Sequence, residues 1–312
     1  MKIVFMGTPD FAVPCLRTLA ESGHEVAAVF TQPDKPKGRG YKMIPTPVKA
    51  AALEYGFEVY QPLSLRKGED AEKSLEILRQ INPDLIVVTA YGQILPESVL
   101  NAAKYGCVNI HASLLPSYRG AAPINWVLLN GEKETGVTSM QMNIGLDTGD
   151  MLIKRTTPIG ENETYEELYA RLSVMGGEVL AETVTAIENG TLSPEKQDDE
   201  KSCYSPMIRK EMSALDFSKS ASEVHNTIRG VTGFTMLEGK RLKIFKSEIA
   251  DINAPDLPVG AVTDTSVFAV KCGDGKSVIF REVQPEGKKR MKTEDFLRGK
   301  KLTIGEILGA EG

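Results

Sequence analysis

The sequence predicts an α/β protein: a doubly wound, mostly parallel sheet followed by a smaller antiparallel β domain. Three observations carry this. Short apolar runs alternate with helical patterns through the first half. A polar stretch, 191–203, interrupts the chain. Beyond it the spacing changes to short strands separated by turn signals such as Gly273-Asp274-Gly275. A chain of 312 residues is long enough for two domains.

The elements follow in order. Lys2–Met6 (KIVFM) reads as a buried strand. A helix begins near Pro9, carries Phe11, Leu16 and Leu19 on one face, and stops at Gly23. Glu25–Phe30 is a second strand. Thr46-Pro47 reads as an N-cap followed by proline at the first helical position, opening a helix that ends at Gly56. Phe57–Tyr60 is a short strand and Asp70–Ile81 a helix. Leu85–Ala90 (LIVVTA) is a near-continuous apolar run, expected of a strand covered on both faces, and Cys107–His111 is another. Val137–Met142 and Met151–Thr157 are strands joined by 143–150. Thr164-Tyr165-Glu166-Glu167 has the form of a capping box and opens a long amphipathic helix ending at Asn189-Gly190. The polar stretch 191–203 reads as an interdomain linker. After a helix near 220–229, the segments 241–249, 260–263, 267–272 and 277–283 read as strands of a small barrel.

Composition narrows the function classes. Apolar residues make up 41% and charged residues 25%, the balance of a globular protein. The four cysteines are scattered and there are only three histidines, so no metal site is expected. No run approaches the ~18 apolar residues of a membrane helix, and Met1–Met6 is too short for a signal peptide. These features point to a soluble cytoplasmic protein with no membrane partner. The net charge of −5 is uneven: residues 209–312 carry 18 basic against 15 acidic side chains, and 1–208 carry 19 against 27. A mildly basic tail on an acidic body permits contact with nucleic acid without requiring it.

The stretch that speaks to chemistry is Asn109-Ile110-His111-Ala112-Ser113-Leu114-Leu115-Pro116-Ser117-Tyr118-Arg119-Gly120. Strand alternation puts Asn109 and His111 on one face. They stand at the carboxyl end of a strand, where open α/β sheets bind ligands. An amide donor and an imidazole two residues apart suit a developing oxyanion. The plainer alternative is that His111 ends a strand and Asn109 bonds a loop. A second stretch, Gly145-Leu146-Asp147-Thr148-Gly149-Asp150, has glycines bracketing Asp147, a pattern that presents a carboxylate in a tight loop. A simple Asp/Gly-rich turn has the same look. A carboxylate reaching His111 would orient the ring and favour its charged form. A third stretch interleaves Lys35, Lys37, Arg39 and Lys42 with Pro33, Pro36, Gly38 and Gly40. Such a loop can order against phosphates, or be a solvated surface loop. Gly7 resembles a nucleotide-loop glycine, but no G-x-G-x-x-G follows, which disfavours a nicotinamide-dependent oxidoreductase.

Taken together, Asn-x-His-x-Ser-Leu-Leu-Pro-x-x-Arg-Gly followed by Gly-x-Asp-x-Gly-Asp resembles the folate-dependent formyltransferases. The resemblance implies a Rossmann-like formyltransferase domain with a C-terminal OB-like β-barrel domain. It implies 10-formyltetrahydrofolate as co-substrate, without a metal. It implies that Asn109, His111 and Asp147 are catalytic, and that Ser113, Leu114, Leu115 and Pro116 contact folate. The opening Phe5-Met6-Gly7-Thr8-Pro9-Asp10-Phe11-Ala12, the basic loop 31–49 and the β tail resemble the members of that family that formylate initiator methionyl-tRNA. On that resemblance Lys35, Lys37, Arg39, Lys42, Arg209 and Lys210 are expected to contact tRNA. The chain divides into a catalytic domain (1–190), a linker (191–208) and a tRNA-binding domain (209–312), and is expected to be monomeric. Two departures stand in the tail. Met207 occupies the place of a usual lysine, and 228–233 (IRGVTG) lacks a Pro-rich turn. The alternatives are a formyltransferase with a sugar-amine acceptor and a plain RNA-binding protein. The basic loop argues against the first and the Asn109, His111 and Asp147 set against the second.

Overall fold

The computed structural model describes residues 1–37, 42–252 and 254–309. In chain order the regular elements are β1 (Lys2–Gly7), α1 (Val13–Glu21), β2 (Glu25–Phe30), β3 (Lys35–Lys37), β4 (Lys42–Ile44), α2 (Pro47–Glu54), β5 (Val59–Tyr60), α3 (Glu69–Ile81), β6 (Leu85–Thr89), α4 (Glu97–Leu100), β7 (Cys107–His111), β8 (Arg119–Gly120), α5 (Pro123–Leu129), β9 (Glu134–Gln141), β10 (Met151–Pro158) and α6 (Tyr165–Asn189). Then come β11 (Tyr204–Ser205), α7 (Ala221–Val231), β12 (Gly233–Leu237), β13 (Lys240–Ala250), β14 (Val262–Asp264), β15 (Ala269–Lys271), β16 (Ser277–Pro285), β17 (Met291–Lys292) and α8 (Thr293–Gly299).

Two compact units result, and they are not sequential blocks. The first comprises 1–120, 135–157 and 169–204; the second comprises 121–134, 158–168 and 205–312. The first is built on a seven-stranded sheet in the order β10-β9-β7-β6-β1-β2-β5. β1 pairs in parallel with β2 and β6, β2 with β5, and β6 with β7, whereas β9 runs antiparallel to β7. Ile3, Val4, Phe5 and Met6 are all fully buried, so both faces of the central strand are covered, as its unbroken apolar sequence requires.

Local signals explain several boundaries. Thr46 Oγ1 accepts a hydrogen bond from the Lys49 backbone N–H (3.1 Å), and Pro47 occupies the first turn of α2. Thr164 and Glu167 form the reciprocal bonds of a capping box before α6. Within α6, a Cβ on Gly176 would come within 3.2 Å of Ile110 Cγ2, and one on Gly177 within 2.7 Å of Thr18 Oγ1. The glycine pair therefore lets α6 lie close against β7 and α1, which braces the strand that carries Asn109 and His111.

The second unit is built on a six-stranded sheet, ordered β12-β13-β16-β15-β14 with β17 beside β16, in which the paired strands run antiparallel. Its core includes Val224, Ile228, Ile244, Phe268, Val278 and Phe280. Ser220 caps α7 in a complete capping box with Glu223. α5 joins this unit because Asn125 Nδ2 donates to the Gly230 carbonyl of α7 (2.7 Å) and Trp126 Nε1 to the Pro206 carbonyl (2.8 Å). Among the described residues no helix is long and apolar enough to cross a membrane.

Candidate active site

The site lies in the first unit, at the carboxyl end of β7. Asn109 is paired with Val88 of β6 and Met140 of β9, and His111 with Thr138 of β9. Both side chains leave the same face of the strand. Among the described residues none hydrogen-bonds the Asn109 side-chain amide, and Asn109 is half-buried.

His111 is buried, and its Nε2 lies 2.9 Å from the Tyr118 carbonyl. A carbonyl only accepts, so Nε2 carries the proton of that bond and Nδ1 is the nitrogen left for other partners. Nδ1 faces Asp147 Oδ2 at 3.8 Å, with side-chain exposures of 7% and 13%. At this distance the two make no direct hydrogen bond, and the contact is ionic only with a protonated imidazole. The same Asp147 oxygen accepts a 2.8 Å hydrogen bond from the Gly120 backbone N–H.

Asp147 is left-handed, at φ +52, a conformation that Asp tolerates better than most residues. Its loop is tight for steric reasons. A Cβ on Gly149 would sit 1.6 Å from the Gln141 carbonyl oxygen, and one on Gly145 would sit 2.0 Å from Thr148 Oγ1. Asn143 Oδ1 accepts from Gly145 N–H (3.0 Å) and from Thr148 Oγ1 (2.9 Å). Gln197 Nε2 donates to the carbonyls of Asp147 (2.8 Å) and Gly149 (2.7 Å).

The expected folate-contacting run forms a folded loop. Ser113 Oγ donates to the Ser117 carbonyl (2.7 Å). Thr138 Oγ1 donates to the Ser113 carbonyl (2.7 Å) and accepts from Leu115 N–H (3.2 Å). Ser113 and Leu115 are buried, Leu115 against Met140 and Met151. Leu114 and Pro116 are half-buried and are the members of the run that present side-chain surface.

Two buried thiols flank the site without serving it. Cys107 begins β7, and burial pushes its thiol up to about 12. Cys15, near Gly176, is likewise raised to about 12 by burial, against a hydrogen bond with Thr89. Both stay protonated at neutral pH, so neither offers a thiolate nucleophile.

The basic loop is a hairpin. β3 and β4 pair antiparallel, Lys35 opposite Ile44 and Lys37 opposite Lys42. Lys35, Met43 and Ile44 are exposed. Arg39 lies outside the described residues. The stem is anchored at its base: Lys49 Nζ is 2.6 Å from both Asp34 Oδ2 and Gln61 Oε1. The Lys49 ammonium holds the Asp34 carboxyl below its usual range, helped by Gln61. Arg209 and Lys210 are exposed at a 3₁₀ turn of the second unit.

Sequence reasoning gave no individual role to Tyr118, Gly120, Thr138 or Gln197. The first two act through backbone atoms, which no side-chain pattern reveals. Thr138 and Gln197 meet the site only through the fold.

An imidazole facing a carboxylate at the carboxyl end of a sheet strand, with a carboxamide leaving the same face of that strand, suits a group-transfer enzyme working by hydrogen bonding and proton transfer. Comparison with known proteins narrows that class. Residues 1–184 match the formyl transferase family and 207–301 match the formyl transferase C-terminal domain. The chain belongs to the formyl transferase family. It is 51% identical to the methionyl-tRNA formyltransferase of Citrifermentans bemidjiense, over 99% of this chain and 96% of that one. It is 49% identical to the methionyl-tRNA formyltransferase of Geobacter sulfurreducens, over 100% and 98%. In fold it is similar to an N-formyltransferase from Helicobacter canadensis solved with folinic acid and dTDP-3-aminofucose, with a TM-score of 0.69 at 22% identity over 91% of this chain and 99% of that one.

Proposed function

We propose that this enzyme transfers the formyl group of 10-formyltetrahydrofolate to the α-amine of methionine on initiator methionyl-tRNA, the step before translation initiation. The observation that carries the reading is the convergence of His111 and Asp147 at the end of β7 in a chain about half identical, along its whole length, to methionyl-tRNA formyltransferases. Folate-bound relatives of the same fold support the donor. The reaction is cytoplasmic, the chain acts as a monomer, and residues 209–312 together with Lys35, Lys37, Arg39 and Lys42 meet the tRNA, with Arg209 and Lys210 on the tail side.

The chemistry is direct acyl transfer. The neutral amine attacks the formyl carbon, and the carbonyl oxygen becomes an oxyanion. The Asn109 amide donates to it, an interaction worth roughly 3 kcal/mol for one well-placed donor. His111 donates from Nδ1, because Nε2 is committed to Tyr118. As the intermediate collapses, the bond from carbon to the folate nitrogen breaks. That nitrogen takes a proton from His111 Nδ1, and Asp147 takes one from the amine. Return of that proton from Asp147 to His111 closes the cycle. Leu114 and Pro116 supply the apolar surface of the folate run.

The test is to mix purified protein, 10-formyltetrahydrofolate and methionine-charged initiator tRNA, then release and identify the amino acid. Formyl-methionine is the expected product. Formate without transfer, or formylation of an amino sugar in preference to the tRNA, would overturn the reading.

A further inference from the structure

We infer that Gln197 is a positioning residue for the formyl-transfer reaction, fixing the Asp147 loop so that the carboxylate meets His111. The inference rests on the assignment of Asp147 to the chemistry.

Gln197 lies in the polar stretch that composition alone reads as a linker. The backbone of Glu195 pairs with Met151, through Met151 N–H to Glu195 O (2.8 Å) and the reverse bond (2.9 Å). This places Gln197 beside the Asp147 loop. Its amide is fully engaged there. Nε2 donates to the carbonyls of Asp147 and Gly149, and Oε1 accepts from Arg119 Nε at 2.9 Å. Carbonyls cannot donate and a guanidinium cannot accept, so one orientation of the amide satisfies all three partners. Arg119 is itself held by Asp199, Nη2 to Oδ1 at 2.7 Å.

The residue after Arg119 is Gly120, whose N–H grips the Asp147 carboxylate. Asp147 is thus held at two points: its carboxylate by Gly120 and its backbone carbonyl by Gln197. Both holds trace back to β8. Asp147 sits at a positive φ in a glycine-bracketed loop, a conformation that persists where its surroundings enforce it. Gln197 supplies that enforcement without needing contact with any reacting atom.

The experiment compares Gln197→Ala and Gln197→Glu, alone and with Asp147→Ala. Gln197→Ala should lower kcat by about 10- to 100-fold, with KM for 10-formyltetrahydrofolate and for tRNA within about two-fold of wild type. Gln197→Glu keeps the acceptor for Arg119 but turns a carboxylate toward two carbonyls, so it should lose at least as much. A merely structural tether predicts the opposite, because Glu would pair with Arg119. On the Asp147→Ala background, Gln197→Ala should add no further loss. Amide hydrogen exchange across 143–150 should quicken in Gln197→Ala while 107–111 stays protected. The exchange arm reads the clamp whichever amine is the acceptor, so failure of the tRNA reading leaves it standing. Wild-type kcat in Gln197→Ala, recovery in Gln197→Glu, a loss that multiplies that of Asp147→Ala, or unchanged exchange would each overturn the inference.

Discussion

The segment from Asn109 to Gly120 and the hairpin from Lys35 to Ile44 lie in the same unit and are built in opposite ways. In the first, a side chain or backbone group nearly always has a fixed partner. His111 is bonded to Tyr118, Ser113 to Ser117, and Leu115 to Thr138, while Gly120 holds Asp147. In the second, the anchoring bonds among the described residues lie at the base, where Lys49 and Gln61 hold Asp34. Beyond it Lys35, Met43 and Ile44 stand in solvent. The difference fits the tasks proposed for the two regions. Proton transfer and oxyanion binding demand groups fixed to within a fraction of an ångström. Contact with a long phosphate backbone demands charge that can adapt.

Each region is expected to fail in its own way. The larger effect belongs to the rigid one. Gly149→Ala forces a carbon into the space of the Gln141 carbonyl, so the Asp147 loop must move. Turnover should fall on the order of 10²-fold with thermal stability of the remaining fold largely retained. Steady-state kinetics beside a melting curve checks this, and unchanged kcat would show that the loop has slack. The smaller effect belongs to the hairpin. Lys35→Gln combined with Arg39→Gln should lower kcat/KM for tRNA by about 10-fold at low salt and flatten its log–log salt slope by about one per lost phosphate contact. KM for the folate should not move. An equal loss for both substrates would erase the contrast between the regions.

The same contrast governs what the sequence could reveal. Features set by neighbours along the chain were legible: the Thr46-Pro47 start of α2, the capping box at Thr164, and the alternation that puts Asn109 and His111 on one face of β7. Features set by distant partners were not. Lys35–Lys37 reads as a loop because its pairing with β4 leaves no alternating pattern in three residues that include Pro36. α5, whose own seven residues are apolar, is tied by Asn125 and Trp126 to residues about 80 to 105 positions away, which no local window contains. Gln197 looks like any residue of a polar connector, since its partners are 48, 50 and 78 positions back. The candidate site was therefore legible in the side chains proposed to react and illegible in what holds them.

The most direct test is single-turnover formylation of methionine-charged initiator tRNA at saturating enzyme, comparing wild type with Asp147→Asn and Asn109→Ala. With the chemistry at the end of β7, both variants should bind tRNA normally and transfer the formyl group slower by on the order of 10²-fold or more. Transfer at near wild-type rate in either variant would contradict that assignment.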